Sequence, residues 1–222
     1  NNEELKEIQK IVKKNASSEL LIGFNRRFSP HILKIKETLG DNIENINIIA
    51  TMNAGFLPED HWTQDLNLGG GRIIGEACHL IDVCVSLSGS LITSVCMNNI
   101  GKKSDLKTDN ASILLKFENG SNAVINYFSN GSKKYSKERV EVFSQERTWI
   151  LDNYRRTEAF GVKGFKLLKT KQDKGHKNQF QNFLNNTGTR KHLISPEEIF
   201  NVTEASFAAI KSMKLNQWVD IK

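Results

Sequence analysis

Five extended segments follow one another between residues 92 and 152, and helical sequence lies only before and after them. The segments are 92–98, 112–117, 123–128, 139–144 and 148–152, each with apolar residues at strand spacing. Glu118-Asn119-Gly120 joins the second and third as a tight hairpin. Consecutive strands with segregated helices predict an α+β domain around a mostly antiparallel, open sheet, with helices covering one face. The other face must meet solvent or a second subunit. A weaker strand is expected at 165–169.

The flanking helices are legible from their ends. Pro30 opens a helix over 30–39 that Gly40 stops. A helix over 196–215 has Ser195 as N-cap, Pro196 in its first turn and Glu198 placed for a capping box. Another late helix spans 175–186. Residues 43–53 read as extended, and 55–68 as an irregular loop containing Pro58 and Trp62. At the start, Leu5, Ile8, Ile11 and Val12 recur at helical spacing over 3–15, and 20–24 reads as a short buried strand. One strand with one helix cannot cover both its faces, so this pair calls for a sheet supplied from elsewhere.

With 222 residues, 38% hydrophobic and 25% charged, the chain is of the folded, soluble type. The net charge of +6 favours solubility and would steer an anionic substrate. Its Lys and Arg pairs are scattered, without the compact basic block of a nucleic-acid binder. No apolar run approaches membrane-spanning length. Cys78, Cys84 and Cys96 form no metal-ligand spacing. Cys78 and Cys84 would lie about 9 Å apart along one helix, too far for a disulfide. They read as buried thiols of a reducing, cytoplasmic compartment.

The chemistry is concentrated in a helix over 69–88, which begins Gly69-Gly70-Gly71-Arg72-Ile73-Ile74-Gly75-Glu76-Ala77-Cys78-His79-Leu80-Ile81-Asp82. On an α-helical wheel it is apolar almost all round. Only Gly75, His79, Asp82 and Ser86 form a small-or-polar line, which puts His79 at a pocket wall with space left by Gly75. The glycine triplet allows close approach of a chain or ligand to the helix start. A lone histidine on an apolar helix is more often a hydrogen-bonded structural residue, and without a second His or Cys at ligand spacing no metal is expected.

The run GGGRIIGEACHLID resembles the signature of the glucose-fructose oxidoreductase / inositol dehydrogenase (Gfo/Idh/MocA) family, in the variant GGGRIIGE-x-CH. Gly23-Phe24-Asn25-Arg26-Arg27-Phe28-Ser29-Pro30 resembles the segment leaving the family's cofactor domain. Asn53-Ala54-Gly55 with Pro58-Glu59-Asp60-His61-Trp62 resembles its substrate loop, and Gln172-Asp173-Lys174-Gly175-His176 the start of a late helix. His79 occupies the family's histidine position; Gly75 stands where the usual Asp would, and Glu76 follows it.

The resemblance implies a two-domain enzyme that moves hydride between a sugar, sugar derivative or polyol and NAD or NADP. It implies that residues 1–28 are the last helix and strand of a Rossmann domain, with its dinucleotide fingerprint and Glu-Lys-Pro motif upstream, and that 29–222 form the α+β substrate-binding and oligomerisation domain. By that reading this chain alone binds no cofactor and is inactive. His79 is the expected acid/base or substrate-orienting group, and Glu76 is expected to orient it or to supply the missing carboxylate. Arg27, Asn53, Trp62, Asp60 and His61 are the expected substrate contacts, and Arg26 and Arg27 the expected cofactor contacts. Asp82 is expected to be structural or to support the site from behind its contact residues, and His176 to be a helix-start residue at the site edge rather than a catalyst. A homo-oligomer through the sheet face is expected; a non-catalytic oligomerisation or sugar-binding module is the alternative.

Overall fold

The structure, a computed structural model, describes residues 1–15, 19–40, 45–103, 105–186 and 192–221. Within them nine strands form one sheet: β1 (Asn47–Asn53), β2 (Ile92–Asn99), β3 (Asn110–Phe117), β4 (Asn122–Phe128), β5 (Glu138–Ser144), β6 (Arg147–Asp152), β7 (Arg156–Phe160), β8 (Leu167–Lys169) and β9 (Val219–Asp220). Their order is β8-β7-β6-β5-β1-β4-β3-β2-β9. Every pairing is antiparallel except β1 with β4. The expected fold class is therefore what the chain adopts. Residue 43, where the extended reading of 43–53 began, lies outside the described residues.

Five α-helices accompany the sheet: α1 (Asn2–Lys14), α2 (Pro30–Leu39), α3 (Cys78–Ser88), α4 (His176–Asn186) and α5 (Pro196–Leu215). Helices α2, α3 and α5 pack on one sheet face, where alternate strand residues such as Ile48, Ala50, Ile113, Ile125, Val140 and Trp149 are buried with Ile32, Leu80 and Val202. Burying a side chain of that size contributes about 1.5–3 kcal/mol, so this layer holds the domain together. The Ser195 hydroxyl accepts the Glu198 amide as expected, at 3.1 Å. The Glu198 carboxylate does not close the capping box; it turns to Arg27.

The open face is mixed rather than broadly apolar. One cross-strand row, Cys96–Leu114–Val124–Ile49, continues through Glu141 to Ile150. Beside it runs a polar row, Asn98–Ser112–Asn126–Thr51–Arg139.

Four sequence expectations change. Residues 20–24 form no strand; the Phe24 amide turns back to the Ile22 carbonyl at 2.8 Å, and Leu20 and Ile22 lean on the core edge. Strands β7 and β9 were not foreseen. The β6–β7 connection is a tight turn with Asn153 and Tyr154 at φ of 50° and 53°, and tyrosine gives no signal for that conformation. Of the three thiols only Cys84 is fully buried, and all three are free. Finally, the helix over 69–88 is not one α-helix, and that departure shapes the site.

Candidate active site around His79

Between Arg72 and Cys78 the chain winds as a π-helix, Ile73–Ala77, before α3 begins. Such wide turns are rare and frequently accompany functional sites. Gly70 and Gly71 precede it at φ of 72° and 80°, conformations that glycine adopts without strain. A Cβ on Gly69 would stand 2.6 Å from the Trp62 carbonyl oxygen. The close approach that the glycine triplet permits is thus by the chain's own 62–63 backbone. Gly75 lies within this wide turn, and no His79 side-chain atom comes within 4 Å of where its Cβ would stand. A Cβ there would meet only the Gly69 carbonyl oxygen, at 3.2 Å.

The predicted polar line divides into separate roles. Asp82 is fully buried and binds Arg27, whose Nη2 reaches Oδ1 at 2.6 Å. Arg27 Nη1 also donates to Glu198, at 2.6 Å. Burial opposes a charged guanidinium here, but Asp82 and Glu198 together hold Arg27 above its ordinary pKa. Asp82 is thereby held in a buried ion pair.

His79 is half-buried, with the edge of Phe24 against it at 6.1 Å between ring centroids. Its Nδ1 is buried and has no partner. A second histidine supplies the contrast. His31 is fully buried, and both ring nitrogens are bonded, to Thr157 Oγ1 at 2.8 Å and Thr170 Oγ1 at 2.9 Å. His31 has the signature of a structural histidine, and His79 lacks it.

Charges surround His79 on several elements. Glu76 lies on the π-helix and receives the Tyr127 hydroxyl and Arg72 Nη2, the latter at 3.3 Å. Arg72 also ties to the Gly55 carbonyl at 2.9 Å, joining this helix start to the 54–68 loop. On the other side, fully buried Glu138 accepts from Arg26 at 2.7 Å and from Lys174 at 2.5 Å. Burial raises Glu138, but the two cations outweigh it and hold the carboxylate below its ordinary value. Burial first, then Arg26, push His79 down to about 4, against Glu138 and Glu76. The imidazole is therefore neutral at neutral pH, the form able to accept a proton.

The remaining sequence candidates sit on the loop side. Asn53 ends β1 and donates to the Ser132 carbonyl at 2.7 Å, while its Oδ1 is buried without a partner. Trp62 is 62% exposed, so it is not core packing. His61 Nδ1 is bound to Thr63 Oγ1 at 2.8 Å, and Asp60 is exposed. His176 starts α4 and is exposed. The sequence reading missed Glu138 and Tyr127, whose isolated positions on strands carry no motif, and it gave Lys174 no role although the residue lies in the quoted 172–176 segment.

Arg26 is committed to Glu138, and Arg27 to Asp82 and Glu198. Among the described residues no group of three His, Cys, Asp or Glu side chains could hold a metal ion. No helix among them is long and apolar enough to cross a membrane.

Residues 42–150 match the family model of the GFO/IDH/MocA C-terminal domain. The chain is 32% identical over 145 residues to the uncharacterized oxidoreductase YrbE of Bacillus subtilis, covering 62% of this chain and 41% of that protein. It is 27% identical over 154 residues to the myo-inositol 2-dehydrogenase of Thermotoga maritima, covering 65% and 44%. The chain thus spans under half the length of these two relatives. Its fold superposes on an oxidoreductase domain protein from Kribbella flavida with a TM-score of 0.82 at 17% identity, over 99% of this chain and 71% of that one. These findings support a GFO/IDH/MocA C-terminal domain.

Proposed function

We propose that this chain is the substrate-side domain of an NAD(P)-dependent oxidoreductase that acts on a sugar, sugar derivative or polyol. The observation that carries the reading is the unpartnered, buried Nδ1 of a neutral His79 on a half-exposed helix face. An alcohol that loses hydride must also lose a proton, and His79 takes it, returning it in the reverse direction. Glu76, steadied by Tyr127 and Arg72, offsets the positive charge on the imidazolium so formed. Trp62, Asn53, Asp60 and His61 form the rim that the sugar meets. The dinucleotide is held outside the described residues, by the Rossmann domain to which residues 1–28 belong, and its nicotinamide supplies the hydride chemistry.

Titrated alone with NAD or NADP in a calorimeter, this chain should give no saturable heat. A micromolar site would overturn that division of labour. With the cofactor domain present, polyol-dependent reduction of the nicotinamide should appear; its absence across sugars and polyols would overturn the assignment itself.

A second reading, a non-catalytic oligomerisation module, draws on the open sheet face. We propose that the row Cys96–Leu114–Val124–Ile49 pairs with its copy in a second subunit, whichever reading holds. Sedimentation should find a dimer or larger species, and Leu114→Lys should dissociate it. A monomer at high concentration would sink the idea.

A further inference from the structure

The segment 173–175 is fixed against the site more firmly than a surface loop requires. Asn25 Nδ2 donates to the Lys174 carbonyl at 2.6 Å, and Ser29 Oγ to the Asp173 carbonyl at 2.7 Å. The Asp173 amide donates to the Tyr154 carbonyl at 3.0 Å, and the Gly175 amide to Asp173 Oδ1 at 2.8 Å. Gly175 sits at φ 85°, where a Cβ would fall 2.4 Å from the Asn25 carbonyl oxygen. What this clamp presents is one side chain. Lys174 reaches Glu138 at 2.5 Å and keeps a fifth of its surface exposed. Its neighbours place it: Phe24 abuts His79, Asn25 holds the Lys174 backbone, and Arg26 shares Glu138 with it.

The charge count there is uneven. One buried carboxylate faces two cations, so the Arg26–Glu138–Lys174 group carries a net positive charge. Arg26 places Nε and Nη2 on Glu138 and is nearly covered. An ammonium has three donors, and the contact with Glu138 uses one.

We propose that Lys174 is a substrate-binding residue of the His79 site, presenting the N–H donors not used by Glu138 to a substrate oxygen beside the imidazole. This rests on the reading of His79 given above. The chemistry suits an electron-rich oxygen next to the reacting carbon, as in a vicinal hydroxyl. A donor fixed in advance holds that oxygen without reorganisation at the moment of reaction. The same ammonium acts on His79 in concert with Arg26 and against Glu138 and Glu76.

Two measurements on Lys174→Met test it. The first follows the His79 ring proton by NMR across acid pH, in this chain, with no turnover needed. Removing Lys174 takes away a cation and leaves Glu138 less neutralised, so the His79 midpoint should move up from about 4. The second follows kinetics with myo-inositol or the best polyol in the protein carrying its cofactor domain. KM should rise about tenfold to a hundredfold, the range for a hydrogen bond to a charged group, and kcat should fall less. Lys174→Arg should restore much of the KM. An unmoved His79 midpoint with an unchanged KM would overturn the proposal and leave Lys174 as a strut for Glu138. A lower melting temperature without either shift would do the same. If His79→Ala keeps its turnover, the reading of the site fails by itself, and the NMR shift still decides whether Lys174 faces His79.

Discussion

Replacing Arg27 with Met should destabilise the domain by about 3–5 kcal/mol, because it strands a buried carboxylate. Asp82 is fully buried, and all three Arg27 nitrogens are bonded to carboxylates. Losing the guanidinium leaves Asp82 without water and without a directly bonded counter-charge. The pair also joins the Asn25–Phe28 turn, α3 and α5, so three elements loosen together. Denaturant unfolding of the single variant measures the cost. The double variant Arg27→Met, Asp82→Leu should recover much of it, since an apolar pair need not be solvated. A cost below about 1 kcal/mol would mean that the pair behaves as an exposed ion pair.

The second large effect is catalytic. In the protein with its cofactor domain, His79→Ala should reduce turnover by about 10²–10⁴-fold, with a stability change on the order of 1 kcal/mol. No hydrogen-bond partner of Nδ1 is left behind, because it has none. His31→Ala serves as the opposite control: it orphans Thr157 and Thr170, so it should lower the melting temperature and spare turnover per folded molecule. Near-normal turnover of His79→Ala would remove it from the chemistry.

His79 also has a pH signature. Its folded pKa, about 4, lies below the ordinary 6.5, so the unfolded chain binds this proton first. As pH falls from about 6.5 to about 4, the unfolded state gains protons that the folded state does not, and stability declines. His79→Ala should flatten that part of the stability profile.

Where local chemistry decides an element, the sequence was readable. Pro30 and Gly40 bound α2, Ser195 and Pro196 open α5, and alternation set β3 through β6 within two residues. The failures share a cause: tertiary contacts overrode local signals. Tyr154 accepts a left-handed backbone because its ring is wholly buried. Residues 20–24 have strand composition, but no ladder partner among the described residues. In the site, His79 and Glu76 were legible as a motif. The Arg26–Glu138–Lys174 group was not, because its members stand 112 and 36 residues apart and meet only through the fold.

The π-helix at Ile73–Ala77 bears on how such sites are compared between proteins. In an α-helix, a carboxylate four residues before a histidine shares its face. A wide turn changes that angular step. Glu76, three residues before His79, is met here by Tyr127 and Arg72, while Gly75, four before, faces Gly69. Counting positions back from the histidine is a poor ruler across such a turn. Two chains aligned letter for letter through it can present their acidic groups from different sides, and two chains one residue out of step can present them from the same side.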